Sequence, residues 1–307
     1  MKIRNTAILL IVIILLTSCA LENRRKRVFF AMGNIPVEVT LYSKENLDFE
    51  SALQEIQNEI FRLDTMLSKY NQSSAVYKFN ASAVSSFAPS EMRSIYSASD
   101  SLGKISGGLF DVRAETVLSY YKRCEELQRD ISDDSIDAMV MILKKDSIYI
   151  KGDSIFKSNP LLKIDFGGIA KGYFGDRVID IMKKYNFKKG IVNLGGDIVA
   201  FNESDKAFFK IGIRSSKDDS IVRIDSILNG SIVTSGDYFR YYEINGKKYC
   251  HIINPLTGFQ HNEIHSVTVK APSGAEADAF ATALMLMTGK EREVFLENNK
   301  DISVFIQ

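Results

Sequence analysis

Few features of this chain point to a disulfide scaffold, a nucleic-acid binder or a repeat architecture. Three cysteines in 307 residues are too few for a disulfide framework. Cys19 falls in the N-terminal leader, so Cys124 and Cys250 offer at most one bridge, and two free thiols are expected. Charge of one sign is missing as well. Without residues 1–18, which hold Lys2 and Arg4 and no acid, 37 basic residues stand against 38 acidic ones. That balance excludes nucleic acid as a partner, because phosphate backbones call for a strongly basic face. There is no internal repeat, no low-complexity stretch and no long linker beyond residues 20–27. A hydrophobic fraction of 45% is ordinary for a chain that buries a core. About 285 mature residues fit one large domain or two closely packed ones.

The one long apolar run is Ala7 to Leu16, behind Lys2 and Arg4 and ahead of Leu16-Thr17-Ser18-Cys19. It is too short to span a bilayer comfortably and reads as a signal-peptide core. The cysteine at its end is similar to a bacterial lipobox. Residues 1–18 are therefore expected to be a lipoprotein signal peptide, with Cys19 the lipidated first residue and 19–27 a tether. Acyl chains on Cys19 would hold the protein on a membrane surface, on the periplasmic or extracytoplasmic side. The basic run Arg24 to Arg27 lies within that tether.

Residues 28–307 mix helical and strand periodicities without a strict βαβ rhythm, which predicts an α+β fold of mixed or antiparallel sheets with packed helices. Val28 to Tyr42 alternates around Gly33 and Pro36 as a strand pair. Leu53, Ile56, Ile60, Leu63 and Leu67 recur at helical spacing over 48–68. A second helix is predicted from Pro89, with Met92, Ile95, Leu102 and Ile105 turned inward, ending at Gly107-Gly108. Leu162 to Phe166 reads as a strand that runs through Gly167-Gly168 into a helix ending near Tyr185. Short strands follow from Gly190 to Val269, then a helix over 275–287 and a last strand over 302–306.

Three constellations carry chemistry. In Asp165-Phe166-Gly167-Gly168-Ile169-Ala170-Lys171-Gly172 a glycine turn opens a helix, a place where an anion meets unpaired N–H groups and the positive dipole end. Lys171 in that first turn is unfavourable for the helix and favourable for an anionic ligand; an ordinary tight turn is the alternative. The segment is neither a Walker A loop nor a G-x-G-x-x-G fingerprint. Asp278 and Thr282, four residues apart on an apolar helix, present a carboxylate and a hydroxyl on one face, oxygen donors suited to magnesium. Capping or pairing with an arginine would equally explain the carboxylate. His251, at the end of a strand before Asn254-Pro255-Leu256-Thr257-Gly258, is placed as a proton acceptor for a hydroxyl, or as a histidine satisfied by a backbone carbonyl. Strand alternation sets Cys250 on the opposite face from His251, which disfavours a thiol enzyme. His261 and His265, in an extended segment, lie about 13 Å apart and do not make a zinc site.

In order along the chain stand Met32-Gly33, Leu67-Ser68-Lys69-Tyr70-Asn71 through Asn80, Gly107-Gly108-Leu109-Phe110-Asp111, and Asp165 to Gly172. Asn193-Leu194-Gly195-Gly196-Asp197 follows, then Thr234-Ser235-Gly236-Asp237-Tyr238, His251 to Gly258, and Ala277-Asp278 with Thr282. Together they resemble the ApbE family of flavin transferases over nearly the whole mature chain. The resemblance implies magnesium-dependent transfer of FMN from FAD to a threonine or serine hydroxyl of an acceptor flavoprotein, with release of AMP. Hydrolysis of FAD to FMN and AMP, or flavin binding without turnover, are the alternatives. It implies Asp278, Thr282 and the Ala170 carbonyl as metal ligands, and Lys171 with Gly167 and Gly168 at the pyrophosphate. Met32, Tyr70, Asp111, Asp165, Thr234, Ser235 and Asp237 are implied as flavin or nucleotide contacts, and His251 as the base. Two departures stand out. The family usually continues Phe-Asp with threonine and then Pro-Leu, whereas Phe110-Asp111 leads into Val112-Arg113-Ala114-Glu115-Thr116-Val117-Leu118. Asn254 stands where aspartate is common.

Overall fold

The computed structural model describes residues 22–218, 220–237, 240–261 and 263–307; the leader and Cys19 lie outside the described residues. The elements run β1 (Asn23–Ala31), β2 (Ile35–Ser43), α1 (Phe49–Leu67), α2 (Ala75–Ala81), β3 (Ser85–Phe87), α3 (Ser90–Ile105), α4 (Glu115–Leu127), α5 (Asp133–Lys145), β4 (Ile148–Lys151), β5 (Ser154–Lys157) and α6 (Ala170–Lys184). They continue with β6 (Lys189–Leu194), β7 (Asp197–Asn202), β8 (Phe209–Arg214), β9 (Ile221–Ile227), β10 (Gly230–Gly236), β11 (Tyr241–Ile244), β12 (Lys247–Cys250), β13 (Ser266–Ala271), α7 (Gly274–Leu286), α8 (Gly289–Asn298) and β14 (Ser303–Ile306). The fold is α+β. A seven-stranded sheet in the order β1-β2-β6-β7-β10-β13-β14, antiparallel at every pairing, forms the centre. Three small sheets, β3-β5-β4, β8-β9 and β11-β12, lie outside it.

Alternation along the strands sorts their side chains onto two faces. Val37, Val39 and Leu41 of β2, with Val192, Val199 and Val233, join the main core, to which α1, α6 and α7 contribute. On the other face Ala200, Ile232 and Ile191 make a second, smaller core with Ile227, Phe209 and Ile211 of the β8–β9 hairpin. Helix α1 buries Leu53, Ile56, Ile60, Leu63 and Leu67, the stripe its spacing predicts, and starts at Asp48, whose side chain accepts the Ser51 N–H.

Three expectations are corrected. The tether assigned to 19–27 is strand from Asn23 onward: Asn23 to Arg27 pair with Ser43 to Val39, and Arg27 forms an ion pair with Glu50. A run of exposed cations suits an edge strand, whose outer side faces water, as well as it suits a tether. Ile105, read as inward, is 51% exposed as the last residue of α3, where the helix ends ahead of left-handed Gly107 and Gly108. Leu162 to Phe166 is extended but joins no sheet. Side chains take the place of a neighbouring strand there: the Asn80 amide donates to the Ile164 carbonyl (2.9 Å) and accepts its N–H (2.8 Å), and Thr116 Oγ1 accepts the Lys163 N–H (3.0 Å).

Helices α6 and α7 cross with their backbones in contact. A Cβ on Gly172 would overlap the Gly274 carbonyl, and one on Gly274 would overlap the Gly172 carbonyl. Each helix also supplies a carboxylate to the start of the other. Asp176 of α6 accepts the Gly274 (2.6 Å) and Ala275 (2.9 Å) N–H groups of α7, and Asp278 of α7 accepts the Gly172 N–H of α6 at 3.0 Å. Ile169 precedes α6 with no side-chain cap of its own, so the partner helix provides one. Gly172→Ala is expected to destabilise the chain by about 3 kcal/mol or more, because two backbones would have to separate. Urea unfolding reads this directly, and an unchanged midpoint would mean that the crossing is looser than described.

Candidate active site

The α6–α7 crossing gathers the residues expected around a metal and a phosphate. Asp278 is buried at 3% exposure, one helical turn before Thr282 on α7. Thr282 Oγ1 lies 3.5 Å from Ser235 Oγ, and a Cβ on Gly168 would stand 3.1 Å from the same oxygen. Gly167 and Gly168 keep negative φ, so what constrains position 168 is close approach to the Thr282 and Phe110 side chains, which a Cβ would crowd by a few tenths of an ångström, not a left-handed backbone. The Gly167 N–H donates to Asp165 Oδ1 at 3.1 Å, and the Gly168 N–H makes no hydrogen bond within the described residues. Ala170 opens α6, and its N–H donates to the Phe166 carbonyl at 2.8 Å.

Lys171 forms an ion pair with Asp197, whose other oxygen accepts the Thr234 N–H at 3.2 Å. Burial pulls the lysine down, but Asp197 and Asp278 more than offset it and hold the ammonium charged. Burial pushes the Asp278 carboxyl well above the carboxylate range; Lys171 opposes that rise and Asp197 adds to it. Two buried carboxylates thus face one ammonium, and that surplus of negative charge among hard oxygens is what a divalent cation neutralises. The capping alternative for Asp278 is realised: its Oδ2 receives the Gly172 N–H, a bond that leaves carboxylate lone pairs for a further partner. Among the described residues no three of His, Cys, Asp and Glu converge as a metal cluster. The donors expected from the sequence are of other kinds: the Asp278 carboxylate, the Thr282 hydroxyl and the Ala170 carbonyl.

A second group surrounds His251. Its Nδ1 lies 2.9 Å from the Arg240 carbonyl, an acceptor, so Nδ1 carries the proton and Nε2 keeps its lone pair. Burial lowers its pKa below the ordinary histidine value, and the Arg240 charge adds to that, keeping the imidazole neutral near pH 7. Arg240 also acts against protonation of Lys171, so its charge reaches both groups. The expected separation of Cys250 from His251 is corrected: β12 ends at Cys250, alternation stops there, and Cys250 Sγ sits 3.9 Å from His251 Nδ1. A thiol enzyme is disfavoured on other grounds, since burial raises the Cys250 thiol to about 11 and leaves it protonated. Cys124 and Cys250 are free thiols.

Beside His251 lies a triad that sequence reasoning missed. Lys69 Nζ is 2.7 Å from Glu115 Oε2 and 2.8 Å from Asp165 Oδ2, all three largely withdrawn from solvent. Both carboxylates and their hydrogen bonds keep Lys69 charged against the cost of burial, which is also what raises Glu115. Glu115 and Thr116 belong to the stretch that departs from the family pattern. That stretch is well anchored: Arg113 holds Asp111 through both oxygens and donates to the Leu143 and Asp146 carbonyls.

The remaining expected contacts are spread more widely. Asp111, engaged by Arg113, borders a cavity of about 380 Å³ lined also by Tyr96, Gly107, Gly108 and Phe110. Tyr70 is 67% exposed, with Lys69 and Lys122 over its ring. Met32, at φ 52°, sits in the β1–β2 turn with its N–H donated to Asp64 at 2.8 Å. Thr234 Oγ1 pairs with Thr268 Oγ1 at 2.9 Å, and Asp237 pairs with His265 at 3.0 Å. Asn254 Oδ1 accepts the Leu256 N–H at 2.8 Å, so the amide retains a turn bond that aspartate would make. Asp197 and Lys69 stand inside quoted motifs but had no role assigned. Asp176, whose pKa burial raises to about 6, lies on amphipathic α6 beside Arg177, so the signal that found Asp278, a carboxylate on an apolar helix, does not single it out.

Residues 32–306 match the sequence pattern of the ApbE family. An FAD:protein FMN transferase of Vibrio cholerae is 28% identical over 267 residues, covering 84% of this chain and 78% of the relative. A second, from Klebsiella pneumoniae, is 35% identical over 157 residues; that match spans 50% of this chain and 48% of the relative. Among solved structures, the ApbE protein of Thermotoga maritima superposes with a TM-score of 0.81 at 26% identity, covering 92% of this chain and 94% of the other.

The Lys69 triad yields a stability test. Lys69→Met leaves Glu115 and Asp165 without the ammonium that bridges them and is expected to cost about 2–4 kcal/mol, the lower end reflecting partial exposure and the nearby Lys163 charge. Adding Glu115→Gln is expected to recover at least half of that loss in urea unfolding. No loss in the single variant would show that the triad does not join these segments.

Proposed function

The chain belongs to the ApbE family, and from that premise we propose that it is an FAD:protein FMN transferase that uses magnesium and labels a threonine or serine hydroxyl. The observation that carries the finer part is the pair of buried carboxylates, Asp197 and Asp278, facing the single ammonium of Lys171. Asp278, Thr282 and the Ala170 carbonyl would hold the ion. Bound there, magnesium supplies positive charge for the pyrophosphate of FAD. Lys171 and the free N–H of Gly168 face the same anion from the start of α6.

In the proposed reaction the acceptor hydroxyl oxygen bonds to the phosphorus of the FMN moiety. The bond from that phosphorus to the bridging oxygen breaks, and AMP leaves with that oxygen. His251 Nε2 takes the hydroxyl proton. A neutral imidazole with its other nitrogen fixed on a carbonyl is suited to that role, since a hydroxyl is a weak nucleophile that needs a base in place. Substrate and acceptor are FAD and a flavoprotein that presents the hydroxyl.

We also propose that the protein is exported and anchored through lipid on Cys19. The support is the short apolar run Ala7 to Leu16 that closes on this cysteine. Among the described residues no helix is long and apolar enough to cross a membrane.

The test combines soluble chain from residue 21, FAD, magnesium and an acceptor domain, with mass spectrometry of acceptor and AMP. An FMN-sized mass gain that needs both magnesium and the acceptor threonine is the expected result; AMP without labelling would replace transfer by hydrolysis. Asp278→Ala is expected to lose magnesium-dependent transfer by at least a hundredfold. His251→Ala is expected to lower kcat by about 10²–10⁴-fold. Protonation disables a base, so activity is expected to fall as pH drops through the His251 pKa. With that pKa lowered, the acid limb of the wild-type profile belongs below pH 6.5. An acid limb at or above 6.5, or one retained in His251→Ala, would assign the base elsewhere.

A further inference from the structure

The hairpin β8–β9 has two unlike sides. Its inner side carries Phe209, Ile211, Ile213 and Ile227 onto the sheet face that α6 and α7 do not cover. Its outer side is the unusual one. Phe208 is 59% exposed, Ile221 63%, Val222 47% and Ile224 67%. Ile224 stands opposite Gly212, and the register shift at Ile213/Arg214 sets Ile221 over the same glycine, so both isoleucines converge on one outward spot. Lys210, two residues from Phe208 and from Gly212, shares that side and is exposed. Large aliphatic side chains gathered on the water side of a two-stranded hairpin mark a surface that meets an apolar partner.

The place where the described chain begins identifies that partner. Glu22 is held by Lys189 at 3.1 Å, and Lys189 also holds Asp205 at 3.0 Å. Lys189 lies over the Tyr42 ring, which meets the Phe209 ring at 6.0 Å. Residue 22 is therefore fastened at the base of the hairpin. Cys19 is three residues away, a reach of at most about 11 Å. On the adjoining edge strand β1, exposed Arg24 and Lys26 share the hairpin's side of the sheet, Arg24 over the Tyr42 ring and Lys26 paired with Glu38, whereas Arg25 lies over Phe49 on the other side. Apolar side chains, flanking cations and a lipid attachment point within one short reach form the combination that seats a protein at a bilayer interface.

We infer that the outer face of the β8–β9 hairpin is a membrane-docking surface: Phe208, Ile221, Val222 and Ile224 enter the acyl-chain boundary of an anionic bilayer while Arg24 and Lys26 meet its headgroups. The inference rests on the lipid-anchor reading of Cys19 and adds a fixed orientation to it. The anchored protein lies against the bilayer on this face instead of swinging on a tether.

The sequence contains no tryptophan, so Ile224→Trp introduces a single fluorophore. The full, lipid-modified chain carrying it is reconstituted into phosphatidylethanolamine–phosphatidylglycerol vesicles with brominated acyl chains. Phe87→Trp, at a position 66% exposed on the small β3-β5-β4 sheet, is the control. The expected result is a blue-shifted Ile224→Trp emission quenched at least twofold, with the control unshifted and unquenched, and FMN transfer unchanged in both. Flotation with the vesicles but no quenching at 224 would overturn the docking surface and leave the anchor standing. Failure to float would remove the anchor and the surface together. An emission already blue-shifted in the unlipidated chain from residue 21, in buffer free of lipid and detergent, would assign the face to a second copy of the chain, and a shift that appears only on adding acceptor would assign it to that protein.

Discussion

The crossing of α6 and α7 is the constraint on which the candidate site depends. Two glycines let the helices touch backbone to backbone, and two aspartates make that contact an exchange: Asp176 caps α7 and Asp278 caps α6. Neither helix start has to be satisfied by water, and neither is free to shift without exposing the other's N–H groups. The consequence for chemistry is positional. Asp278 is fixed by structure on one of its oxygens, so what it offers a ligand is offered from a set place, with Thr282 one turn further and Lys171 across the gap.

Legibility in the sequence followed how local the physics is. Helix α1 and the pair Asp278–Thr282 were readable because 3.6-residue spacing and the cost of a carboxylate on an apolar helix are properties of a short window. The strand expected at Leu162 to Phe166 was misread because its pattern is that of a buried extended segment. Whether a neighbouring strand or the side chains of Asn80 and Thr116 meet its backbone is decided from more than 40 residues away. The same distance hid the triad. Lys69 alone looks like a surface lysine, and only the fold sets Glu115 and Asp165 on either side of it. Cys250 and His251 came together for the opposite reason, a local rule applied one residue past the end of its strand.

Departures from the family pattern in 112–118 do not leave a gap. Arg113 closes on Asp111 and two carbonyls, Thr116 supports the Asp165 segment through Lys163, and Glu115 supplies one of the two carboxylates that hold Lys69. A buried lysine and a buried glutamate are each costly alone and tolerable together. Lys69 and Glu115 therefore depend on one another in this chain.

The two clusters share a charge arithmetic that bears on the proposed cation. Each couples one ammonium to two carboxylates: Lys171 pairs with Asp197 and feels the charge of Asp278, and Lys69 pairs with both Glu115 and Asp165. Taken as the ammonium and its two carboxylates alone, each trio carries a net −1 when ionised, with Lys163 further off beside Glu115 and Arg240 beside Lys171, and the pyrophosphate of FAD would add more negative charge. Burial already pushes Asp278 and Glu115 toward their neutral forms, which is how low-dielectric surroundings answer an unbalanced charge. At Glu115 two neighbouring lysines, Lys69 and Lys163, oppose that push. At Asp278 Lys171 is the cation that opposes it, and Lys171 is the group expected to face the incoming phosphates. A pyrophosphate would compete with Asp197 and Asp278 for that one ammonium, leaving two carboxylates and a dianion to repel each other. In the proposed reading, a divalent cation held by Asp278, Thr282 and the Ala170 carbonyl would remove that conflict, and Asp278 could ionise while Lys171 served the substrate.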